Sequence, residues 1–307
     1  MSDSDDRPLE VWLPALERFS PAHPLQALLA RADRLDNGPA GYMQGLDGYF
    51  EAGVSPLPVA ALTRELLASD AGTATWLCAD PAWVQPDMSG ARLLACGRMP
   101  LSMDEAVAFA DALQPVFEEA GMRLEVSTAD RWHVRLPQGL DLPVFASPEQ
   151  ALGEDLYTHL PQGSEGRRWR VLFNEAQVLL HQHPLQSVRA AHGLPPVNSL
   201  WLWGAGVLPA RVRTSLAGVI GDDLLLQSLA KQAGVPHAGR TPEALAAAAA
   251  GWLVDLQDLP VDEIASGMAT ALQAQARRQP VRLAFASGER WLHRPSHRLR
   301  FWRRTRQ

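Results

Sequence analysis

Lysine is almost missing from this chain: Lys231 is the only one among 28 basic residues. A lysine nucleophile or Schiff base could therefore sit at one position alone, and cationic recognition falls to arginine. Cysteine is nearly as scarce. Cys78 and Cys96 are too few for a disulfide framework and read as two buried thiols of a reducing compartment. No run approaches the ~18 apolar residues of a membrane span, and the apolar stretch Leu200 to Pro209 is too short. The opening residues Met1 to Asp6 are acidic and polar, not basic and then apolar, so they do not read as a secretory signal. Together these absences predict a cytoplasmic protein with no membrane partner. Excess positive charge is also lacking. The net charge of −6 gives no reason to expect nucleic acid or an anionic membrane surface as a partner. There is no Gly-x-Ser-x-Gly elbow, no phosphate-binding P-loop and no Cys-x-x-Cys.

What is present suits a globular α/β protein. The 307 residues, 47% hydrophobic and 20% charged, suffice for one large or two moderate domains. Residues 1–10 read as a polar tail. Leu13 to Leu35 carries helical spacing interrupted by Pro21 and Pro24. Leu57 to Leu67 reads as a helix, and Thr73 to Ala79 and Ala91 to Ala95 as strands joined by a turn-rich loop. Ser102 and Glu105 form a capping-box pattern for a helix through Ala120, closed by Gly121. Two strands follow, Arg123 to Thr128 and Trp132 to Leu136. Residues 138–168 are rich in Pro, Gly and Gln and read as a surface segment. Downstream, helices are predicted at Glu175 to Ala191, Asp222 to Ala233, from Thr241-Pro242, and at Leu259 to Arg278. Strands are predicted at Ser199 to Trp203 and Trp252 to Leu256, with a hairpin of Val281 to Ala286 and Arg290 to His293. Strands alternating with helices predict a mostly parallel sheet flanked by helices. The expected division is an α/β core of residues 1–72 and 169–307, carrying an inserted α+β lobe, 73–168, with a loop-rich end.

The densest polar constellation runs from Asn174 to Gly206. It holds Asn174, Glu175, His181, His183, Arg189, Asn198, Gly204 and Gly206. The two histidines are two residues apart, a spacing that points them to different helix faces and suits one metal ion poorly. Arg189 offers a bidentate fork for phosphate, and with Asn198 and a histidine could clamp a phosphoester. The plainer alternative is a structured turn packed under the sheet. Gly204-Ala205-Gly206 could admit a phosphate to the backbone or form a tight turn. Asp222 and Asp223 could ligate a metal or cap a helix. Asp255 and Asp258 bracket the carboxyl end of a strand, where ligands of parallel sheets bind. Arg290 to Arg306 holds seven arginines among Trp291, Phe301 and Trp302. That pattern could bind single-stranded nucleic acid or neutralise acidic helices.

His183-Pro184, Arg189, Gly193, Pro196-x-Asn198 and Gly204-Ala205-Gly206 fall at intervals that resemble a segment of the archaeal-type cofactor-independent phosphoglycerate mutases, members of the alkaline phosphatase superfamily. Gln186, Val197 and Trp203 depart from its Asn, Ala and Arg. The stretch from Asn174 to Gly204 is similar also to the RpfE-type regulatory proteins. The resemblance implies a reduced alkaline-phosphatase-like core. It implies for the mutases an Asp-Gly metal-binding start, a nucleophilic serine, and late Asp and His ligands. Here Glu10-Val11-Trp12-Leu13 stands where Asp-Gly is expected, and Trp252 to Asp262 has Asp255 and Asp258 but no histidine. The expectation is therefore a phosphoglycerate-mutase-like pseudoenzyme with no catalytic residue, no metal and no cofactor. It would serve as a regulatory protein binding a small phosphorylated metabolite through Arg189, His183 and Asn198, with Arg92 and Arg131 as helpers. An active metal-dependent mutase or phosphatase with rearranged ligands is the alternative. So is a protein-interaction module using a tryptophan-rich surface, from among ten tryptophans, and the arginine-rich C-terminus, since tryptophan anchors interfaces; its partner would be another protein or, in a homodimer, a second copy of the chain.

Overall fold

The stretch Leu9–Leu13 alternates its side chains across a sheet, and this alternation organises the N-terminal part of the chain. In the computed structural model, which describes residues 7–88 and 90–300, Leu9–Leu13 is a fully buried strand. The reading of residues 1–10 as a tail is corrected from Leu9 onward, and residues 1–6 lie outside the described residues. The chain divides into two compact units, one of residues 1–52 and 211–307 and the other of residues 53–210.

The first unit is built on seven strands. In spatial order they are His237–Ala238, Gly218–Ile220, Trp252–Asp255, Leu9–Leu13, Val281–Phe285, Arg290–His293 and Asp33–Leu35. The first five run parallel. Arg290–His293 pairs antiparallel with Val281–Phe285, as its hairpin pattern predicts, and with Asp33–Leu35. The mostly parallel sheet flanked by helices is thus as expected. Leu9, Val11 and Leu13 join Val254, Leu283 and Phe285 in a core with Leu245, Ile264, Met268 and Leu272. At roughly 25 cal/mol per Å² of apolar surface, burial of this face supplies the main cohesion of the unit. Alternation then places Glu10, Trp12, Arg282 and Ala284 on the opposite face. The helix Tyr42–Asp47 lies over it, close enough that a Cβ at Gly45 would come within 3.2 Å of the Trp12 ring. The expected Leu259 to Arg278 helix is present from Val261 but passes through a π turn at Ile264–Met268.

The second unit is an antiparallel sheet centred on Thr75–Asp87, a strand of 13 residues. It pairs with Gly90–Cys96, with Trp132–Arg135 and, along Thr75 to Ala82, with Ser199–Val207; Arg123–Val126 completes the sheet. Helices Met103–Glu119 and Gly163–Gln182 bury Phe109, Leu113, Phe117, Trp169 and Leu172 against it. Because Ser199–Val207 is a strand of this sheet, the unit runs on to residue 210, and the division falls at 53 and 211 instead of 73 and 169. The predicted loop after Ala79 is instead the continuation of a hairpin. Pro81 and Pro86 sit inside the strand, where the sequence signals a break. Residues 138–168 hold two one-turn helices, Pro148–Ala151 and Leu156–His159, before the long helix begins at Gly163. The expected helix Glu175 to Ala191 is two helices, Gly163–Gln182 and Leu185–Ala191, separated by His183-Pro184. Pro184 has no N–H to continue the first helix.

The capping box is formed as predicted: Ser102 Oγ accepts from the Glu105 amide at 3.2 Å, and Glu105 Oε2 accepts from the Ser102 amide at 2.9 Å. Ser102→Ala should lower stability by about 1 kcal/mol, the usual worth of such a cap, as measured by urea denaturation; an unchanged midpoint would show the box contributes nothing.

Candidate functional site

The 174–206 constellation is committed to holding the second unit together. Arg189 is 1% exposed. Its Nε and Nη2 donate to the Pro195 carbonyl, Nη2 also to the Pro100 carbonyl, and Nη1 to Glu105 Oε1 at 2.9 Å. The guanidinium that was expected to clamp phosphate instead ties the 185–191 helix to the capped end of Met103–Glu119. Asn198 Oδ1 accepts from the Val84 amide at 2.8 Å and its Nδ2 donates to the Val84 carbonyl at 2.7 Å. It thereby extends the ladder beside a bulge at Trp83 and Val84. His183 packs on Phe109, ring centroids 4.7 Å apart, and its Nδ1 accepts from the Leu185 amide. His181, Asn174 and Glu175 are exposed on the helix. Gly204 and Gly206 lie within the strand Ser199–Val207, not in a turn. Gly204 has φ +63° and its missing Cβ would meet Val59 at 2.7 Å, so close packing requires glycine there. Arg92 is at the surface, bonded to Asp87 and the Gly153 carbonyl. Arg131 lies over the Trp203 ring at 5.1 Å and donates to Cys78 Sγ, with its Nε 3.3 Å from buried Asp80. Trp203 Nε1 also donates to Asp80, at 2.8 Å. These residues do not converge on one ligand.

A histidine that sequence reasoning passed over is buried nearby. His133 is bonded at Nε2 to Thr63 Oγ1 and at Nδ1 to Ser127 Oγ. Burial, with the Arg131 and Arg64 charges, pushes its pKa down to about 3, so it is a neutral packing group.

The residues with open chemistry lie in the first unit, at the carboxyl ends of its parallel strands. Asp222 and Asp223 follow Gly218–Ile220, Asp255 ends Trp252–Asp255, and Asp258 follows it. Asp223 caps the helix Leu224–Ala233 through the Leu225 and Leu226 amides, as its position predicts, and also accepts from the Tyr42 hydroxyl at 2.7 Å. The Arg240 guanidinium bonds Asp258, sits 3.4 Å from Asp222, and donates to the Asp255 carbonyl. Asp255 is 3% exposed. Burial, aided by Asp223 and Asp258, raises its pKa to about 7, and its Oδ1 accepts from the Gln257 amide. A two-metal centre does not fit this donor set. The Arg240 guanidinium engages two of the four aspartates, a phenol holds a third, and His237 on the neighbouring strand is bonded through Nε2 to the Gly221 carbonyl at 2.7 Å. Among the described residues no group of three or more His, Cys, Asp or Glu is arranged to hold a metal ion.

Beside this edge is a pocket of about 230 Å³, lined by Trp12, Tyr49, Gln257, Arg282, Arg290 and glycines 41, 45, 48 and 288 among others. Glu10, 5% exposed, accepts from Arg282 Nη1 at 2.8 Å through Oε1, while its Oε2 has no hydrogen-bond partner. Burial raises the Glu10 pKa against the lowering influence of Arg282, Tyr49 and Arg290. Sequence reasoning singled out Glu10 only as a departure from a motif. The signals it missed were the glycine spacing 41, 45, 48 and the lone arginine in the alternating strand Val281–Phe285. Of the arginine-rich C-terminus, Arg294 and Arg300 pair with Asp33, on a strand and not on an acidic helix; the residues from 301 lie outside the described ones. Among the described residues no helix is long and apolar enough to cross a membrane.

No protein-family profile matches the chain. Over 93 residues, 30% of its length, it is 32% identical to the 2,3-bisphosphoglycerate-independent phosphoglycerate mutase of Methanothrix thermoacetophila, covering 24% of that protein. Over 161 residues, 52% of its length, it is 26% identical to that of Methanosarcina mazei, covering 38% of it. The match to the probable mutase of Geobacter sulfurreducens is 39% identical over 62 residues, 20% of this chain and 16% of that protein. The chain is thus homologous to cofactor-independent phosphoglycerate mutases of the archaeal type, and the matched stretches span well under half the length of these relatives. Among solved structures, a Pyrococcus horikoshii protein superposes with a TM-score of 0.50 at 12% identity, covering 94% of this chain and 87% of the other. The cofactor-independent phosphoglycerate mutase of Thermoplasma acidophilum gives 0.40 at 16% identity, covering 93% and 89%.

Two outcomes follow from this geometry. Arg189→Met should destabilise the chain by about 3 kcal/mol in denaturant unfolding, because it leaves buried Pro195 and Pro100 carbonyls and Glu105 without their donor; full stability would show the side chain is free for a ligand. For Asp255 the folded pKa is raised, so its contribution to stability is complete below about pH 4 and is lost as pH rises toward about 7. Asp255→Asn, which cannot ionise, should therefore be more stable than the parent at pH 8 by a few kcal/mol, at about 1.4 kcal/mol per pH unit between the two pKa values, and nearly equal to it at pH 4. Equal stabilities at pH 8 would contradict the buried, raised carboxyl.

Proposed function

We propose that this chain is a phosphoglycerate-mutase-like protein of alkaline-phosphatase-like ancestry whose metal-dependent chemistry is lost, and which binds a small anionic metabolite in a regulatory role in the cytoplasm. The observation that carries this reading is the Arg240 guanidinium set against Asp222 and Asp258, with the Tyr42 hydroxyl on Asp223. Phosphoryl transfer at a two-metal centre depends on divalent ions that clamp the phosphoryl oxygens and activate the nucleophile. Aspartates engaged by a fixed organic cation and a phenol are not poised to supply that clamp. Without it the rate falls by many orders of magnitude. The regulatory role also agrees with the resemblance of the 174–204 stretch to RpfE-type proteins.

The expected ligand site moves from Arg189, His183 and Asn198 to the first unit's pocket. Arg282 and Arg290 there border open space, whereas Arg189 is enclosed. The purified chain, assayed with 3-phosphoglycerate and manganese in a coupled mutase assay, should show no turnover above a no-protein control. Turnover abolished by a chelator would overturn this reading in favour of a rearranged, active metal site.

A further inference from the structure

The pocket beside Trp12 has the makings of a specific site. Its volume, about 230 Å³, is far more than one water needs and lies below the ~300–1,000 Å³ of drug-sized ligands, so its occupant is small. Its room comes from glycines: Gly41, Gly45 and Gly48 border it from the Tyr42–Asp47 helix and its flanks, and a Cβ at Gly45 would crowd the Trp12 ring at 3.2 Å. The walls are unlike one another. Trp12, held by edge contacts with Tyr42 and Tyr49 at 5.8 and 5.6 Å, gives with Ala284 and Ala286 a flat apolar side. Arg282 and Arg290 give a cationic side.

The two arginines are built in. Arg282 is fixed by Glu10 through Nη1, its buried Nε has no hydrogen-bond partner, and the Tyr49 phenol also interacts with it. Tyr49 borders the same pair, its phenol held un-ionised by burial and by Glu10. Arg290 is anchored from outside, its Nε and Nη2 donating to the Asp36 and Asn37 carbonyls, so its position is set without a carboxylate to cancel its charge. Glu10 ionised against two guanidiniums leaves one net positive charge. A carboxylate carries one negative charge and matches the fork of a guanidinium edge. A phosphomonoester carries about −1.5 to −2 near neutral pH and wants more cationic compensation than this site holds.

We infer that this pocket binds a small planar carboxylate, its anionic end on Arg282 and Arg290 and its flat apolar body against Trp12. The inference rests on the proposed binding role and narrows its ligand from a phosphorylated metabolite to a carboxylate. The buried Glu10 acts as a positioning residue for Arg282.

Isothermal titration of the full chain with benzoate, benzyl alcohol, inorganic phosphate and 3-phosphoglycerate tests it. Benzoate should bind with one-to-one stoichiometry, at least tenfold more tightly than each of the other three. Arg290→Met and Arg282→Lys should each weaken benzoate at least tenfold while keeping the parent's thermal midpoint. Arg282→Lys retains the charge beside Glu10 but removes the fork. If one variant fails to fold, the other still decides. No benzoate heat, unchanged benzoate affinity in a folded variant, or tighter binding of 3-phosphoglycerate would each overturn the carboxylate assignment. None of these would touch the proposed loss of mutase chemistry, which turnover or a stoichiometric metal pair would contradict.

Discussion

On the proposed reading, the function of the first unit depends on where one guanidinium lies. Arg240 engages Asp222 and Asp258 at the carboxyl ends of the parallel strands, the edge where open α/β sheets take their ligands. An acidic edge of this kind is a place for a cation, and here the chain supplies its own. Tyr42 closes over Asp223 and Asp255 is buried with a raised pKa; on the proposed reading these carboxylates serve as structural acceptors. Open space lies instead on the neighbouring strands, Leu9–Leu13 and Val281–Phe285, where the polar groups are cationic. In the pocket on those strands Arg282 and Arg290 outnumber the one carboxylate, Glu10, while the aspartate edge beside it stays acidic.

The second unit uses its polar residues for a different end. Glu105 caps one helix with one carboxylate oxygen and holds Arg189 of another with the second, so one side chain couples two local structures. Asn198 completes the ladder that the bulge at Val84 interrupts. Trp203 and Arg131 share the buried carboxylate of Asp80, and the burial that raises its pKa is opposed first by Arg131 and then by Trp203. Most of these buried polar groups are held by fixed partners, whose removal costs more than their presence contributes; Asp80 Oδ1 and Arg131 Nε face each other as an ion pair without a hydrogen bond. A motif of His, Arg and Asn reads as a binding site in sequence because the same residue types that hold a phosphate also hold backbone carbonyls.

Much of the fold was legible. The capping box at Ser102, the Asp223 cap, the Val281 hairpin and the strand-helix alternation of the C-terminal half all rest on local chemistry that the sequence displays. What was hidden depends on pairing partners distant in sequence. Leu9–Leu13 looks like the end of a tail until Val281 and Leu253 are beside it. Pro81 and Pro86 argue against a strand unless the register spares their missing amides. Gly204-Ala205-Gly206 looks like a turn because the close approach of Val59 and Pro58, which demands those glycines, is a tertiary fact. The pocket was the least legible part. Its arginine is one of many, and its tyrosines and glycines fall between predicted elements. Only the sheet brings Glu10 and Arg282 together, 272 residues apart.

Metal binding tests the central claim most directly. Chelator-treated protein titrated calorimetrically with manganese and with zinc, followed by elemental analysis of the dialysed product, should show no stoichiometric ion. Two ions per chain, released when Asp222 and Asp258 are replaced by asparagine, would mean that Arg240 gives way to metal and would contradict the loss of the metal centre.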